Sequence, residues 1–271
     1  MSHHSSLTTH RTSLTDQLVS PASVNITPPR RSRIQRFVSF CAIGIFFTSA
    51  GIYMAAQPSL RPFLAMMNIP TDVESLTTFK PKDEQSQKID DHLVNHPVAL
   101  ALRANPDFRE QRPHMKIPEP VRNHTLVAGS LLGPGKIWVP PIAFLEKGGK
   151  SLTAIMYLGQ DICGHPGIIH GGLLATVFDE SLARCCFGAL PNKVGMTASL
   201  TVNYRKPLPA DTYVALRAVT TKVEGRKAWV EGRIETLVKE GETPVVYADA
   251  TALFVEPRQA KMMARYAAAA G

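Results

Sequence analysis

The strongest hydrophobic pattern of the chain lies in residues 169–187, IHGGLLATVFDESLARCCF. Its apolar residues recur in pairs about every four positions, a spacing that places them on one face of an α-helix. These residues are Leu173, Leu174, Val177, Phe178, Leu182, Cys185 and Cys186. Gly188 and Pro191 follow the pattern and provide its stop. We therefore predict a helix whose broad apolar face requires a large apolar partner.

Six runs with the residue types of β-strands surround this helix. Two precede it and four follow it: 137–146, 151–159, 193–204, 212–223, 227–238 and 245–255. Turn residues separate the runs, and Glu224-Gly225 between two of them is typical of a hairpin. An antiparallel sheet of this length can cover the apolar face of the helix. The predicted fold class is therefore α+β, with an antiparallel sheet wrapped around a central helix.

The uncharged run 37–56 indicates one transmembrane helix, because at about 1.5 Å per residue its length matches a bilayer core of about 30 Å. A signal peptide is the alternative, but the run exceeds a usual signal-peptide core. Residues 1–36 are rich in Ser and Thr and carry five arginines against a single acid: Arg11, Arg30, Arg31, Arg33 and Arg36 against Asp16. This basic tail is typical of a mitochondrial presequence, with a generic disordered tail as the alternative.

These segments predict a single-pass protein of a mitochondrial membrane, which we expect to be the inner one. The arginines favour an N-terminus on the matrix or cytosolic side, but presequence import can override that preference, so the side of the large domain stays open. Residues 57–134 are predicted to be a linker and helical extension, with a helix in 83–105 broken near Pro97 and a loop over 106–120. The folded domain then covers 135–256, and 257–271 form a tail.

The net charge of +8 does not indicate nucleic-acid binding, because no run of Lys and Arg with interleaved aromatic residues occurs. The four cysteines lack metal-ligand spacing, and adjacent cysteines cannot easily bridge, so we expect reduced thiols. His92 and His96 have helical i,i+4 spacing, but Pro97 disrupts that helix. We therefore expect no metal site and no cofactor.

Candidate chemistry lies at the start of the central helix. Gly171 and Gly172 let another group approach the backbone closely, and the unpaired first-turn amides of a helix bind anions or a developing oxyanion. The only acids of this helix are Asp179 and Glu180. Asp179 lies about 180° around and about 13 Å along from His170, so both cannot serve one site within a single copy. If they cooperate, a second, antiparallel copy completes the site, which predicts a dimer.

Three blocks in this order, HPGIIHGGLLATVFDE, VGMTASLTVNYRKPLP and KVEGRKAWVEG, resemble the hotdog-fold acyl-CoA thioesterases of the HGG group. That group includes the phenylacetyl-CoA type and mammalian mitochondrial enzymes related to carboxyl-terminal modulator protein. The resemblance covers residues 135–256 and implies a hotdog fold with its active site between two subunits. It also implies that the Gly171 N–H polarises the thioester carbonyl, that His170 helps to set the turn, and that Gly172 keeps it open.

The same resemblance implies that Asp179 is the catalytic carboxylate, acting as general base or as nucleophile. It implies that the Thr197 hydroxyl positions the water or the carboxylate. Glu180 is a competing acid, although its position does not match the family. Four cations are candidate partners for the phosphates of coenzyme A, with solvated turn charges as the alternative: Lys206, Lys222, Arg226 and Lys227.

The sequence thus predicts a membrane-anchored mitochondrial acyl-CoA thioesterase that releases coenzyme A and a free acid. We expect this acid to be a fatty acid. We expect a homodimer or a dimer of dimers. The alternative is a non-catalytic acyl-CoA-binding or protein-interaction module on the same fold, since a fold does not fix function. A hydratase would require an Asp and His pair in a different loop motif, which we do not find. The extension 57–134 has two open roles, tethering the dimer or covering the mouth of the site.

Overall fold

The computed structural model describes residues 32–66, 69–239 and 241–261. Residues 1–31 of the predicted presequence (1–36) lie outside the described residues, and so does most of the predicted C-terminal tail. The chain divides into two units, Met1–Met54 and Ala55–Gly271.

Helix α1, Arg33–Met66, begins in the first unit. Its part from Arg33 to Gln57 is long and apolar enough to cross a membrane, judged by length and composition. The predicted span 37–56 lies inside this part. Large apolar side chains along it are exposed: Phe37, Phe40, Ile45, Phe46 and Phe47. The N-terminal helix is therefore a candidate membrane span.

The second unit contains an antiparallel seven-stranded sheet with the spatial order β1-β2-β3-β7-β8-β9-β6. The strands are β1 (Phe108–Gln111), β2 (Ile142–Glu146), β3 (Ser151–Leu158), β6 (Met196–Tyr204), β7 (Thr212–Glu224), β8 (Lys227–Thr236) and β9 (Val246–Val255). Strands β4 (Cys163–His165) and β5 (Ile168–Ile169) form a separate antiparallel pair. The two edges of the main sheet are thus β1 and β6.

Helix α6, Gly171–Phe187, packs against the sheet and contacts strands β3, β6, β7, β8 and β9. All residues of the predicted apolar face are buried, and Phe178, Leu182 and Cys186 have no exposed surface. They form the main core together with side chains of the surrounding strands. The prediction of an antiparallel sheet around one central helix is confirmed.

Helices from the extension cover part of the other face of the sheet. They are α3 (Glu84–Asn95) and α4 (Pro97–Ala104). Two further helices of the extension are α2 (Asp72–Thr78), which contacts the edge strand β1, and the short α5 (Glu119–Arg122). Ile89, Leu93 and Ala99 from α3 and α4 pack with Phe144 and Ile155 of the sheet in a second core. The break between α3 and α4 lies at Pro97, as predicted, because proline fits the first turn of a helix but not its interior.

One buried side chain, Arg112, links the extension to the sheet. Its guanidinium donates to the Asp90 carboxylate at 2.6 Å and to the Pro140 carbonyl at 2.9 Å. Its backbone N–H donates to Ser75 Oγ at 3.0 Å. Removing one partner of such a buried ion pair costs about 3–5 kcal/mol, because the other charge stays buried. Arg112 therefore fastens α2 and α3 to the segment that leads into β2.

Two predictions about local structure are wrong. The loop predicted over 106–120 contains β1, in which Phe108 pairs with Glu146 of β2. The strand predicted from residue 137 begins only at Ile142. Pro140 and Pro141 have no N–H for a strand ladder, and Ile137 forms only isolated bridges. The other five predicted strands agree with β3, β6, β7, β8 and β9 within a few residues at their ends.

Candidate active site

His170 is the N-cap of helix α6. Its Nδ1 accepts a hydrogen bond from the Gly172 N–H at 2.8 Å, so the geometry assigns the ring hydrogen to Nε2 in the neutral form. The backbone N–H of His170 donates to the Ile162 carbonyl at 3.0 Å. The side chain therefore satisfies one unpaired first-turn amide of the helix and fixes the angle at which the chain enters it.

Tyr204, near the end of β6, contacts the same turn. Its hydroxyl donates to the Gly171 carbonyl at 2.9 Å. The ring lies so close that a Cβ on Gly171 would be 3.2 Å from a ring carbon. The sequence analysis did not single out Tyr204, although it lies inside the second of the three blocks. Its hydroxyl and the His170 ring together hold the peptide unit between Gly171 and Gly172 from both sides.

The N–H of Gly171 remains available for a ligand. It donates to no backbone or side-chain acceptor of the described residues. It belongs to the first turn of α6, where the helix dipole places partial positive charge. The next amide, from Gly172, is already used by His170. The described turn thus presents one directed donor for a carbonyl oxygen rather than two.

Asp179 and Thr197 form a hydrogen-bonded pair farther along α6. Thr197 Oγ1, on the edge strand β6, donates to Asp179 Oδ1 at 2.7 Å. Asp179 Oδ2 accepts no hydrogen bond from the described residues. One carboxylate oxygen is therefore fixed by a hydroxyl while the other is free to act on a substrate or a water.

The two halves of the candidate site do not meet within one chain. Gly171 and Asp179 lie on one uninterrupted helix, eight residues apart, so their backbones are separated by about 12 Å. An attacking group and the oxyanion donor must both reach one carbonyl group, which requires about 3 Å contacts. The structure groups His170, Gly171 and Gly172 at one end, and Asp179 with Thr197 at the other.

Glu180, the competing acid, lies on another flank of α6. Its Oε2 is 3.4 Å from Nε2 of the buried His114 of the extension. Consecutive helical residues project about 100° apart, so Glu180 does not share the surroundings of Asp179. No hydroxyl of the described residues donates to Glu180. The geometry therefore favours Asp179 over Glu180 as the reacting carboxylate.

The four candidate phosphate-binding cations lie in two places. Lys222, Arg226 and Lys227 are around the β7–β8 turn, and Lys227 pairs with Val255, which also pairs with Met196 beside Thr197. Lys222 forms an ion pair with Glu224 at 2.7 Å, and Arg226 donates to the Glu256 carbonyl at 3.0 Å. Lys206 follows the opposite end of β6, near Tyr204. One copy of the chain does not bring all four together.

The described cysteines are free thiols. Burial raises the pKa of Cys185 to about 11 and that of Cys186 to about 12. Both are therefore protonated at neutral pH and unsuited to act as nucleophiles. Within residues 32–66, 69–239 and 241–261, no group of three or more His, Cys, Asp or Glu side chains could hold a metal ion.

The chain is similar to several known proteins. A model of the thioesterase superfamily matches residues 166–242, which include Gly171, Asp179 and Thr197. A UPF0644 protein of Schizosaccharomyces pombe is 36% identical over 185 residues, which cover 67% of this chain and 70% of that protein. An uncharacterised mitochondrial protein of Candida albicans is 30% identical over 197 residues, which cover 68% of this chain and 88% of that protein.

A further relative is the mouse acyl-coenzyme A thioesterase THEM4. It is 34% identical over 113 residues, which cover 42% of this chain and 46% of the mouse protein. The chain thus belongs to the same family as the UPF0644 protein of Schizosaccharomyces pombe. Its residues 166–242 form a domain that matches the thioesterase superfamily. Its antiparallel sheet around α6 is the hotdog fold that the sequence blocks predicted.

Proposed function

We propose that this chain hydrolyses acyl-CoA thioesters to free acids and coenzyme A. The observation that carries the proposal is the hydrogen-bonded pair of Asp179 and Thr197, in which Asp179 lies on the helix that begins with the unpaired Gly171 amide. Thioester hydrolysis needs a base or nucleophile and a donor for the developing oxyanion. These residues supply both. The mouse relative, an acyl-coenzyme A thioesterase, supports the same reaction class.

In the general-base route, Asp179 removes a proton from water while the water oxygen attacks the thioester carbonyl carbon. The carbonyl oxygen becomes an oxyanion and accepts a hydrogen bond from the Gly171 N–H. The C–S bond then breaks, and the departing thiolate takes the proton from Asp179. In the nucleophilic route, Asp179 attacks the carbonyl itself, expels the thiolate and forms an anhydride that water hydrolyses. Thr197 orients the carboxylate in both routes.

We infer that a second copy of the chain completes the site. The edge strand β6 has nine residues and lies beside α6. If two copies pair antiparallel through β6, the Asp179 end of one helix approaches the Gly171 end of the other. The same arrangement brings Lys206 of one copy towards the β7–β8 turn of the other, where the remaining candidate cations lie. The pair is therefore the smallest assembly with a whole site, as a homodimer or within a dimer of dimers.

We also propose a fatty acyl group as substrate and a mitochondrial inner membrane, crossed once, as the location. The candidate span in α1, the basic N-terminal tail and the mitochondrial relative from Candida albicans support this location. In this proposal the chain has five segments. They are a presequence-like tail (1–36), a membrane helix (37–56), an extension (57–134), a thioesterase domain (135–256) and a C-terminal tail (257–271).

The test measures release of coenzyme A from short, long and aromatic acyl-CoAs by the full chain and its Asp179→Asn variant. We expect turnover to fall at least about a hundredfold in the variant, about 2.7 kcal/mol of barrier. Glu180→Gln tests the competing acid, and a larger loss there than in Asp179→Asn would reassign the carboxylate. If the folded parent binds acyl-CoA but releases no coenzyme A, the thioesterase proposal fails and the binding module replaces it.

A further inference from the structure

An open groove lies between α4 and the chain that links β8 to β9. Its volume is about 450 Å³, within the range of about 300–1,000 Å³ that small-molecule sites occupy. Six aliphatic residues line it: Pro97, Val98, Ala101, Leu102, Val238 and Pro244. Gly241 and five charged residues complete the lining: Arg217, Arg233, Glu235, Lys239 and Glu242. The groove is therefore large enough for a small molecule and offers it both apolar and charged contacts.

The groove lies on the face of the sheet opposite to the candidate active site. Leu216 and Ala218, on either side of Arg217 in β7, belong to the core around α6. Successive side chains of a strand point to opposite faces, so Arg217 points away from α6. Gly171 and Asp179 are residues of α6 and lie on the other side of the sheet. A ligand in the groove would thus not occupy the candidate active site.

Two arginines lie directly opposite each other in the groove. Arg217 of β7 pairs in register with Arg233 of β8, an arrangement that is destabilising for like charges. Both bind one carboxylate. Nε of Arg217 donates to Glu235 Oε1 at 2.7 Å, and Nε of Arg233 donates to Glu235 Oε2 at 2.6 Å. One carboxylate therefore serves two guanidinium groups, which leaves one positive charge in excess.

The arginines are accessible from the groove, although their shared carboxylate is not. The Glu235 side chain is 3% exposed, whereas those of Arg217 and Arg233 are 37% and 53% exposed. Each guanidinium uses only its Nε for Glu235, and its terminal nitrogens donate to no acceptor of the described residues. An anion in the groove can therefore bind both arginines without displacing Glu235.

Two further carboxylates near the arginines are engaged with other groups. Asp249, opposite Arg233 in β9, forms an ion pair with Arg205. Glu242 accepts a hydrogen bond from the backbone N–H of Lys239 at 3.0 Å. Among the described lining residues, cationic side chains thus outnumber carboxylates. This balance favours an anionic ligand.

We propose that this groove binds a phosphate monoester. A carboxylate has two oxygens and one charge, which the fork of a single arginine satisfies. Two adjacent arginines suit a phosphate monoester instead, because it has three free oxygens and carries close to two negative charges at pH 7. The aliphatic residues of α4 accept the organic group of the ester. The ester is either soluble or the headgroup of a phosphatidate lipid, since both present the same chemical group.

The test is a calorimetric titration of the full chain in phosphatidylcholine nanodiscs with butyl phosphate. Pentanoate, which has a carboxylate instead, and butan-1-ol, which has no charge, are titrated in parallel at equal ionic strength. We expect butyl phosphate to bind at least about tenfold more tightly than pentanoate, and the alcohol not to bind. Arg233→Gln should weaken binding at least about tenfold, because a charged hydrogen bond is lost. Arg258→Gln, which removes an exposed arginine elsewhere, should have no effect.

A matched pair of variants guards against misfolding of Arg233→Gln. Ala101 is exposed on α4 and lines the groove, and Glu and Gln are similarly good helix formers. Ala101→Glu places a negative charge beside the arginines without removing either of them. Ala101→Gln has the same size without the charge. We expect the Glu variant to bind butyl phosphate at least about fivefold more weakly than the Gln variant, with equal thermal transitions.

Nanodiscs that contain phosphatidate distinguish the two sources of the ester, with phosphatidylglycerol, an anionic phosphodiester, as the control lipid. A loss of affinity for butyl phosphate with phosphatidate alone would identify the lipid headgroup as the ligand, and equal affinity in both nanodiscs would identify a soluble ester. Either result supports the site. No binding of butyl phosphate, equal binding of pentanoate, or equal binding by the two Ala101 variants would overturn the proposal.

Discussion

The peptide unit between Gly171 and Gly172 is held on both of its polar atoms. The Tyr204 hydroxyl donates to its carbonyl, and its N–H donates to His170 Nδ1. This unit adjoins the Gly171 N–H that the proposed reaction uses. Donors aimed at a developing oxyanion stabilise it most when they need no rearrangement during the reaction. Tyr204 is therefore expected to act as a positioning residue.

Substituting Tyr204→Phe removes the hydroxyl and keeps the ring against Gly171. We expect kcat to fall about 2- to 13-fold, the equivalent of one net hydrogen bond of about 0.5–1.5 kcal/mol, with KM nearly unchanged. Tyr213→Phe is the matched control, because the Tyr213 side chain packs against His92 and Tyr157 in the other core. The measurement is the steady-state kcat and KM of both variants. Equal losses in the two, or a change confined to KM, would remove Tyr204 from this role.

Residue patterns indicated some residues of this candidate site better than others. His170, Gly171 and Asp179 lie in one continuous motif, and helical geometry alone required that they be separated along the helix. Thr197 came from the family resemblance, because a single strand hydroxyl carries no signal by itself. The Tyr204 contact spans 33 positions of the chain and depends on how β6 lies beside α6. That arrangement is a tertiary property which local sequence does not encode.

At the scale of elements, α6 is a helix whose apolar face includes two thiols in the core. The ordinary pKa of a cysteine, near 9.0, is raised by burial to about 11 for Cys185 and to about 12 for Cys186. Folding therefore disfavours the thiolates. The contribution of these thiols to stability is complete below pH 9 and is lost as the pH rises from 9 towards 11 and 12.

Equilibrium unfolding by denaturant between pH 9.5 and 10.5 tests this linkage. Each linked thiol contributes up to about 1.4 kcal/mol of lost stability per pH unit in this range. The double variant Cys185→Ala, Cys186→Ala should be less stable at pH 7 because of the cavities it creates, but its stability should fall less steeply with pH. Replacing the exposed Cys41 by Ala is the control. Identical slopes in parent and double variant would contradict the burial-driven shifts.

The elements that sequence predicted well are those with long, regular patterns, such as α6 and the five strands after the first. Strand β1 was missed because its four residues, FREQ, show no alternation of apolar and polar positions. It is a strand only because β2 offers a partner, and tertiary pairing overrides local preference. Strand β2 was predicted to begin too early, because the apolar run continues through Pro140 and Pro141. The extension thus contributes a strand and a second core that its composition alone did not reveal.

At the scale of the whole molecule, the proposed site requires two copies with distinct contributions. In the proposed dimer, one copy supplies the half around Gly171, and the other supplies Asp179 with Thr197. Variants that damage different halves should therefore complement each other in a mixed dimer, whereas variants that damage the same half should not. This property separates a shared site from a site contained in one chain.

Coexpression of Asp179→Asn with His170→Ala tests the shared site. Random pairing makes half of the dimers mixed, and each mixed dimer has one intact site of two, so activity should recover to about a quarter of the parent value. Coexpression of Asp179→Asn with Thr197→Ala is the matched control, because both changes affect the same half and no intact site forms. Activity is measured as coenzyme A release from the unfractionated coexpressed mixture, and tandem-tag purification of the mixed dimers alone should raise it to about half of the parent value. Recovery in neither mixture, with mixed dimers present, would place the whole site in one chain.

The two edge strands of the sheet differ in length and exposure. Strand β1 is four residues long and carries Arg109 and Glu110, whereas β6 has nine residues and several exposed positions. Short, charged borders are poor templates for adding another strand, and long ones are good templates. Another copy can therefore extend the sheet only at β6. When two copies pair through β6, each covers the β6 edge of the other. Such an assembly is self-limiting, so the pairing that we propose to complete the site also protects the sheet from continuing into a fibre.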